Sequence, residues 1–146
     1  MPDDEELSVV LDGSGPCIAE ARHRAAEFLA DARLTRRDAV SARQSGLVTL
    51  VVSELVTNAC KYAPGPLAMD LRIRGEVLEV SVWDGDPVLP MARAAGPGRV
   101  GQHGLEIVMA VCEAFEARRE DTGKRITARI ALTEERAGAR RPDPGA

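Results

Sequence analysis

The sequence predicts a two-layer α/β (α+β) sandwich, a mixed but mostly antiparallel sheet with helices on one face, and three observations predict it. Apolar residues recur at helical spacing over 17–32 and again over 37–62. Apolar and polar residues alternate over 67–74, and Val80 and Val82 share one face of 77–83, with Gly75-Glu76 between the two runs. The elements come in blocks, in the order β-α-α-β-β-loop-α-β-β. Strands joined by tight turns pair antiparallel, and helices arranged this way cover one face of the sheet without long crossovers.

Each element has local grounds. Leu7-Ser-Val-Val-Leu11 reads as a short strand, followed by the turn Asp12-Gly-Ser-Gly-Pro16, in which Ser14 or Pro16 can open a helix. The first helix carries Ile18, Ala21, Ala25, Phe28, Leu29 and Ala32 at helical intervals, and a loop is expected at Leu34-Thr-Arg36. The second helix, 37–62, contains Gly46, a point where a kink is expected, and ends at Pro64-Gly-Pro66. Residues 84–103 hold aspartates, prolines and glycines with almost no periodicity, and a loop of that length within a compact domain is usually functional. A third helix is expected over 104–112, then strands over 114–120 and 124–132 joined at Asp121-Thr-Gly123. Residues 1–6 are expected to be flexible, 7–133 to form the domain, and 134–146, charged and rich in Gly, Ala and Pro, to be a disordered tail.

Composition narrows the function classes. A chain of 146 residues can bury one real core. With aromatics at 3%, that core must be built from Val, Leu, Ile and Ala, and little is left for stacking on bases. A net charge of −4 likewise disfavours direct nucleic-acid binding. Cys17, Cys60 and Cys112 form no CxxC and no Cys/His cluster, which points to packed free thiols in a reducing, cytoplasmic setting. The acidic N-terminus is no signal peptide, and no apolar run reaches membrane-spanning length.

The most informative segment is Glu54-Leu-Val-Thr-Asn58-Ala-Cys-Lys61-Tyr-Ala63. Positions i, i+4 and i+7 lie on one helical face, so Glu54, Asn58 and Lys61 form a polar row. Leu47, Val48, Leu50, Val51, Val52, Leu55 and Ala59 supply the apolar faces of the same helix. An acid, an amide and a base in a row on an otherwise apolar helix suit a hard cation with a polyphosphate, since Mg2+ takes one or two oxygen ligands from protein and others from phosphates. By itself the row reads equally well as a solvated helix face.

Two further segments follow in order: Val80-Ser-Val-Trp-Asp84-Gly85-Asp86-Pro87 at a strand end, and Gly98-Arg-Val-Gly101-Gln-His-Gly104-Leu105-Glu-Ile-Val leading into a helix. Together with the helix row they resemble the N, G1 and G2 boxes of the ATP-binding fold shared by gyrase, the ninety-kilodalton heat-shock chaperone, sensor histidine kinases and MutL-type proteins. The resemblance covers about 8–132. Within that group the chain looks most like the small stand-alone bacterial members related to anti-sigma-factor serine kinases, whose N box is similar to Ser53–Ala63 and whose closing hairpin resembles Gly123-Lys124-Arg125-Ile126-Thr127.

The resemblance implies a histidine-kinase-like ATPase fold, with ATP and Mg2+ as ligands. It gives Asn58 the metal, Glu54 the role of general base, Asp84 the adenine amino group, and Gly85 a close backbone approach to the base. Gly101 and Gly104 would shape a lid around the phosphates, with Leu105 beside them and the start of the third helix offering N–H groups. Lys61 would meet a phosphate. The G1 box departs from Asp-x-Gly-x-Gly, because Asp86 and Val88 stand at the two later glycine positions; Asp86 would share or replace the role of Asp84. His103 stands where the G2 box commonly has glycine, and Glu106 adds a carboxylate. The implied function is a serine/threonine protein kinase acting on an anti-sigma-factor antagonist. The alternatives are a nucleotide-binding module that sequesters a sigma factor or other regulator, and, ranked last, the catalytic half of a histidine kinase. The first strand and helix offer a surface for a homodimer.

Overall fold

The computed structural model describes residues 5–36, 40–62, 65–89 and 103–139. The described elements are β1 (Glu5–Leu11), α1 (Pro16–Arg36), α2 (Ala42–Tyr62), β2 (Leu67–Arg74), β3 (Val77–Asp84), α3 (His103–Val111), β4 (Ala114–Arg119), β5 (Lys124–Ala131) and α4 (Glu134–Ala139). The strands form one five-stranded sheet in the order β1-β2-β3-β5-β4. Every pairing among them is antiparallel, so the mixed character expected from sequence is not found in the described sheet. The α+β architecture is as predicted.

Strand parity builds the core. Leu67, Met69, Leu71 and Ile73 of β2, Leu78, Val80 and Val82 of β3, and Ile126, Ala128 and Ile130 of β5 are buried, one apolar face running across the sheet. Helix α2 packs against β2, β3 and β5 and beside α1, burying Val48, Val51, Val52, Leu55, Val56 and Ala59, whereas Leu50 of the expected apolar set stays exposed. In α1 the buried side chains are Cys17, Ala21, Ala25, Leu29 and Ala32; such small residues let two helices approach closely. The opposite sheet face carries cross-strand ion pairs: Arg72 with Glu6, Arg129 with Glu79, and Arg125 with both Asp70 and Glu120.

Caps explain the helix starts. Asp12 Oδ1 accepts from the Ser14 N–H at 2.9 Å and its hydroxyl at 2.7 Å, shaping the turn before α1, which then opens on Pro16 at a position where the missing N–H costs nothing. Ser41 caps α2 by accepting from the Gln44 N–H at 3.0 Å. The Ser41 N–H donates to Leu132 O at 2.9 Å, and buried Gln44 Nε2 to Ala131 O at 2.7 Å, so the start of α2 is fastened to the end of β5.

Several boundaries differ from the sequence reading. Residues 34–36, expected as a loop, continue α1. Helix α2 begins at Ala42 rather than 37 and runs through Gly46, whose carbonyl accepts from Thr49 Oγ1 at 2.9 Å. Glu5 and Glu6 belong to β1 because they pair with Ile73 and Arg72. Residues 134–139, expected to be disordered, form α4, held by Thr133 and by Arg136 Nε on Glu113 at 2.6 Å. No helix among the described residues is long and apolar enough to cross a membrane.

Burial pushes the Cys112 thiol, just after α3, from 9.0 up to about 12. The unfolded chain therefore gives up this proton first, so the contribution to stability is complete below pH 9.0 and is lost as pH rises towards about 12. Denaturant midpoints should fall over that window, and Cys112→Ala should fall less steeply than the parent; equal slopes would show that the thiol is not sequestered.

Candidate functional site

Helix α2 is the common wall. It packs on β3 and β5 on one side and against α3 on another. Glu54, Asn58 and Lys61 occupy its second half in the expected row, with different surroundings. Glu54 is half-buried and Lys61 exposed. Asn58 is only 8% exposed, and its Oδ1 is buried with no hydrogen-bond partner among the described residues. A buried carbonyl oxygen without a donor is costly, so this atom is suited to an electropositive ligand.

Glu54 meets α3. A Cβ placed on Gly104, the second residue of α3, would overlap the Glu54 carboxylate. Only a residue with no side chain allows this approach, and the carboxylate thereby lies at the positive end of the helix. The place where the resemblance implies that phosphates meet α3 thus also receives the side chain that it implies to be the base. Leu105 is buried in the core. Gly101, and Gly98 before it, lie outside the described residues.

At the end of β3, parity places Asp84 on the same side of the strand as Leu78, Val80 and Val82. Its register partner on β5 is Lys124. Both are 1% exposed, and Lys124 Nζ donates to Asp84 Oδ1 at 2.9 Å. The same Oδ1 accepts the Asp86 N–H at 2.9 Å, while the Asp86 carbonyl accepts from Lys124 at 3.3 Å. The Asp86 carboxylate is directed elsewhere, its Oδ1 accepting the Val88 N–H at 3.1 Å. Gly85 is exposed, and a Cβ there would touch nothing. Gly123 is constrained: its φ is +91°, and a Cβ would strike the Asp84 carbonyl.

The sequence matches the family described as the histidine kinase-like ATPase domain over residues 17–130. The chain belongs to that family. No curated protein gives a significant sequence match. The fold of this ATPase-family domain is similar to that in a crystal structure of the RsbU and RsbW domains of a Mycobacterium tuberculosis protein, with TM-score 0.66 and 17% identity over 88% of this chain and 32% of that one. The present chain therefore spans about a third of that structure's length. A second similarity, to Acinetobacter baumannii histidine kinase AdeS, has TM-score 0.46 and 16% identity over 86% of this chain and 68% of that one.

Family membership makes this an ATP-binding type of domain, and Asn58 fits the Mg2+ that usually accompanies ATP: it offers an oxygen, buried and lacking a donor. Among the described residues no group of three His, Cys, Asp or Glu side chains could hold a metal by itself.

Two features of this ATPase-family domain escaped the sequence reading. The sequence places Lys124 in a closing hairpin, and its position in step with Ile126, Ala128 and Ile130 makes it an inward-facing lysine. Cys17 and Cys60, widely separated in sequence, bring their sulfurs to 3.3 Å. Burial and the neighbouring thiol push Cys60 up to about 12, so it is a protonated packing group at neutral pH.

Asn58→Ala should leave the thermal midpoint nearly unchanged, because it removes an oxygen that has no partner in the fold, yet lower Mg2+-dependent nucleotide affinity about tenfold or more. Loss of folding would mark Asn58 as structural. Gly104→Ala should displace the flexible Glu54 side chain rather than unfold α3; titration calorimetry with single-turnover kinetics should show chemistry impaired more than nucleotide binding.

Proposed function

We propose that this domain is an ATP-binding bacterial regulator, and specifically a serine/threonine protein kinase of the anti-sigma-factor type that phosphorylates a protein antagonist in the cytoplasm. One observation carries the reading: the Glu54 carboxylate, one turn before Asn58, is held against the first turn of α3 at a glycine. A base that is to take a hydroxyl proton must sit within hydrogen-bond reach of it, and a carboxylate held where the row on α2 meets α3 supports that role.

When bound, Mg2+·ATP supplies the transferable phosphoryl group and most of its charge neutralisation. The chain's own residues do the rest. Asn58 Oδ1 would orient the ion, and Lys61 at the exposed end of α2 would balance phosphate charge. Asp84 would accept from the adenine amino group. Glu54 would orient a serine or threonine hydroxyl and receive its proton as the new phosphorus–oxygen bond forms and the bond to the ADP leaving group breaks. Gly101, Gly104 and Leu105 would form the base of the phosphate cover.

A second reading is favoured by the base end. Asp84 is covered and ion-paired with Lys124, and Asp86 and Val88 replace glycines of the usual G1 box. Both features suit a domain that binds nucleotide weakly and works by holding a sigma factor or related regulator. A homodimer through β1 and α1 is compatible with either reading.

Incubation with radiolabelled ATP, Mg2+ and candidate antagonist proteins separates the two. Label transfer should occur and should fall by roughly 10²–10⁴ in Glu54→Ala, with ATP affinity retained. Tight partner binding without transfer would instead establish the sequestering module, and no ATP or ADP binding at millimolar nucleotide would remove the site assignment altogether.

A further inference from the structure

We propose that the arginine-lined cavity on the outer face of the sheet, beside α4, is a second ligand site that takes an anion bearing a phosphoryl group. The site is independent of the nucleotide reading, because α2 and α3 pack on the inner, apolar face. The cavity has a volume of about 370 Å³, within the range of small-ligand sites. Arg72 and Arg74 of β2, Arg129 of β5 and Arg136 of α4 line it. Only two carboxylates, Glu79 and Glu113, join these four guanidiniums. The lining is therefore positive, although the chain as a whole carries a net charge of −4.

Strand register creates this excess. One row crosses all five strands through Glu6, Arg72, Glu79, Arg129 and Ala114. Its charges alternate in sign until β4, where Ala114 stands in the place of a further acid. In the next row Arg74 faces Val77 on β3. Arg74 makes no side-chain hydrogen bond or ion pair among the described residues. Two arginines thus have an apolar cross-strand neighbour where the pattern elsewhere supplies a carboxylate. Ala114 and Val77 also line the cavity, and their short side chains leave it open.

The ion pairs hold the guanidiniums in place without using all their donors. Glu6 engages Arg72 through Nε, and Glu79 engages Arg129 through Nε at 3.0 Å. Glu113, only 11% exposed, accepts from Arg136 Nε at 2.6 Å and Nη2 at 3.2 Å, which fixes that side chain on the cavity wall. A guanidinium carries five N–H donors. The Nη groups of Arg72 and Arg129 and the head of Arg74 therefore remain available among the described residues. Paired N–H donors in a planar fork match the oxygens of a phosphoryl group. A neutral ligand would leave the excess positive charge uncompensated, whereas a phosphoryl dianion offsets it.

The test titrates pyrophosphate into the full chain by calorimetry, in EDTA so that no Mg2+ links the probe to Asn58. Binding should be submillimolar. Arg74→Gln should weaken it about tenfold, as expected for lost charge-assisted hydrogen bonds. Ala114→Leu keeps every charge and fills the cavity from an exposed strand position. It should weaken pyrophosphate at least as much, with the thermal midpoint and ATP affinity unchanged. Arg22→Gln removes the same charge from an exposed position on α1 and should have no effect. Equal losses in Arg22→Gln and Arg74→Gln would reduce the effect to net charge and overturn the proposal, as would undiminished binding in Ala114→Leu. A short phosphoserine peptide serves as the second probe. Pyrophosphate binding assigns a free ligand to the site, and binding of the peptide alone assigns a phosphorylated protein side chain. If neither probe binds at millimolar concentration, the site does not exist.

Discussion

Helix α2 must bury an apolar stripe against the sheet and still turn the Glu54 carboxylate towards α3. Both demands are met by one rotation about its axis. Successive residues of a helix are about 100° apart, so a slip of one residue would bring Glu54 and Asn58 into the core and Val52 or Leu55 out of it. The rotation is set at the start of the helix, where Ser41 and Gln44 bond the end of β5, and along its length by Val48, Val51, Val52, Leu55 and Val56, all essentially inaccessible to solvent. With so few aromatic side chains available, the seating depends on β-branched and small residues that interlock closely, and their restricted rotamers make it specific.

The sheet answers with a division between its two faces. The outer face balances its own charges across strands, Arg72 with Glu6 and Arg129 with Glu79, and such exposed pairs contribute little to stability. The inner face is apolar until its last register position, where Asp84 and Lys124 replace two hydrophobic side chains with a buried ion pair. Two well-packed apolar residues would commonly be as stable there or more so. The pair instead ties the end of β3 to the start of β5, since Lys124 also donates to the Asp86 carbonyl just beyond the strand.

What could be read from the sequence was what is encoded locally. Parity gave the faces of β2 and β3, Gly75 gave their hairpin, and the N-box row on α2 was found intact because i, i+4 and i+7 are set by helix geometry alone. What could not be read was what depends on the register of distant segments. Lys124 and Asp84 are 40 residues apart, the sulfurs of Cys17 and Cys60 43 apart, and Arg136 and Glu113 23 apart. The last contact explains why α4 was missed: its composition is that of a tail, and an ion pair with Glu113 together with the Thr133 cap supplies what propensity does not. The approach of Glu54 to Gly104 was hidden for the same reason, since a glycine in a loop-to-helix sequence signals freedom of the backbone and not the side chain that will occupy the vacated space.

The site divides into two ends that share only α2. Glu54, Asn58 and the start of α3 form the end where phosphate chemistry would occur, while Asp84, Asp86 and Lys124 form the end that would hold the base. Interactions made equally in ground and transition states change affinity, whereas those that develop only as bonds rearrange change the rate of the chemical step. On the proposed reading, an altered G1 box lies wholly at the base end and would bear on how long nucleotide stays. It does not bear on whether Glu54 can take a proton. A domain with a poor grip on nucleotide and an intact carboxylate at α3 would act as a slow-loading kinase, its output governed by nucleotide supply and partner contact and not by the intrinsic speed of transfer. Departure from the glycine pattern is thus weak grounds for assigning loss of catalysis, and the position of Glu54 carries more weight in that decision than the residues at 86 and 88.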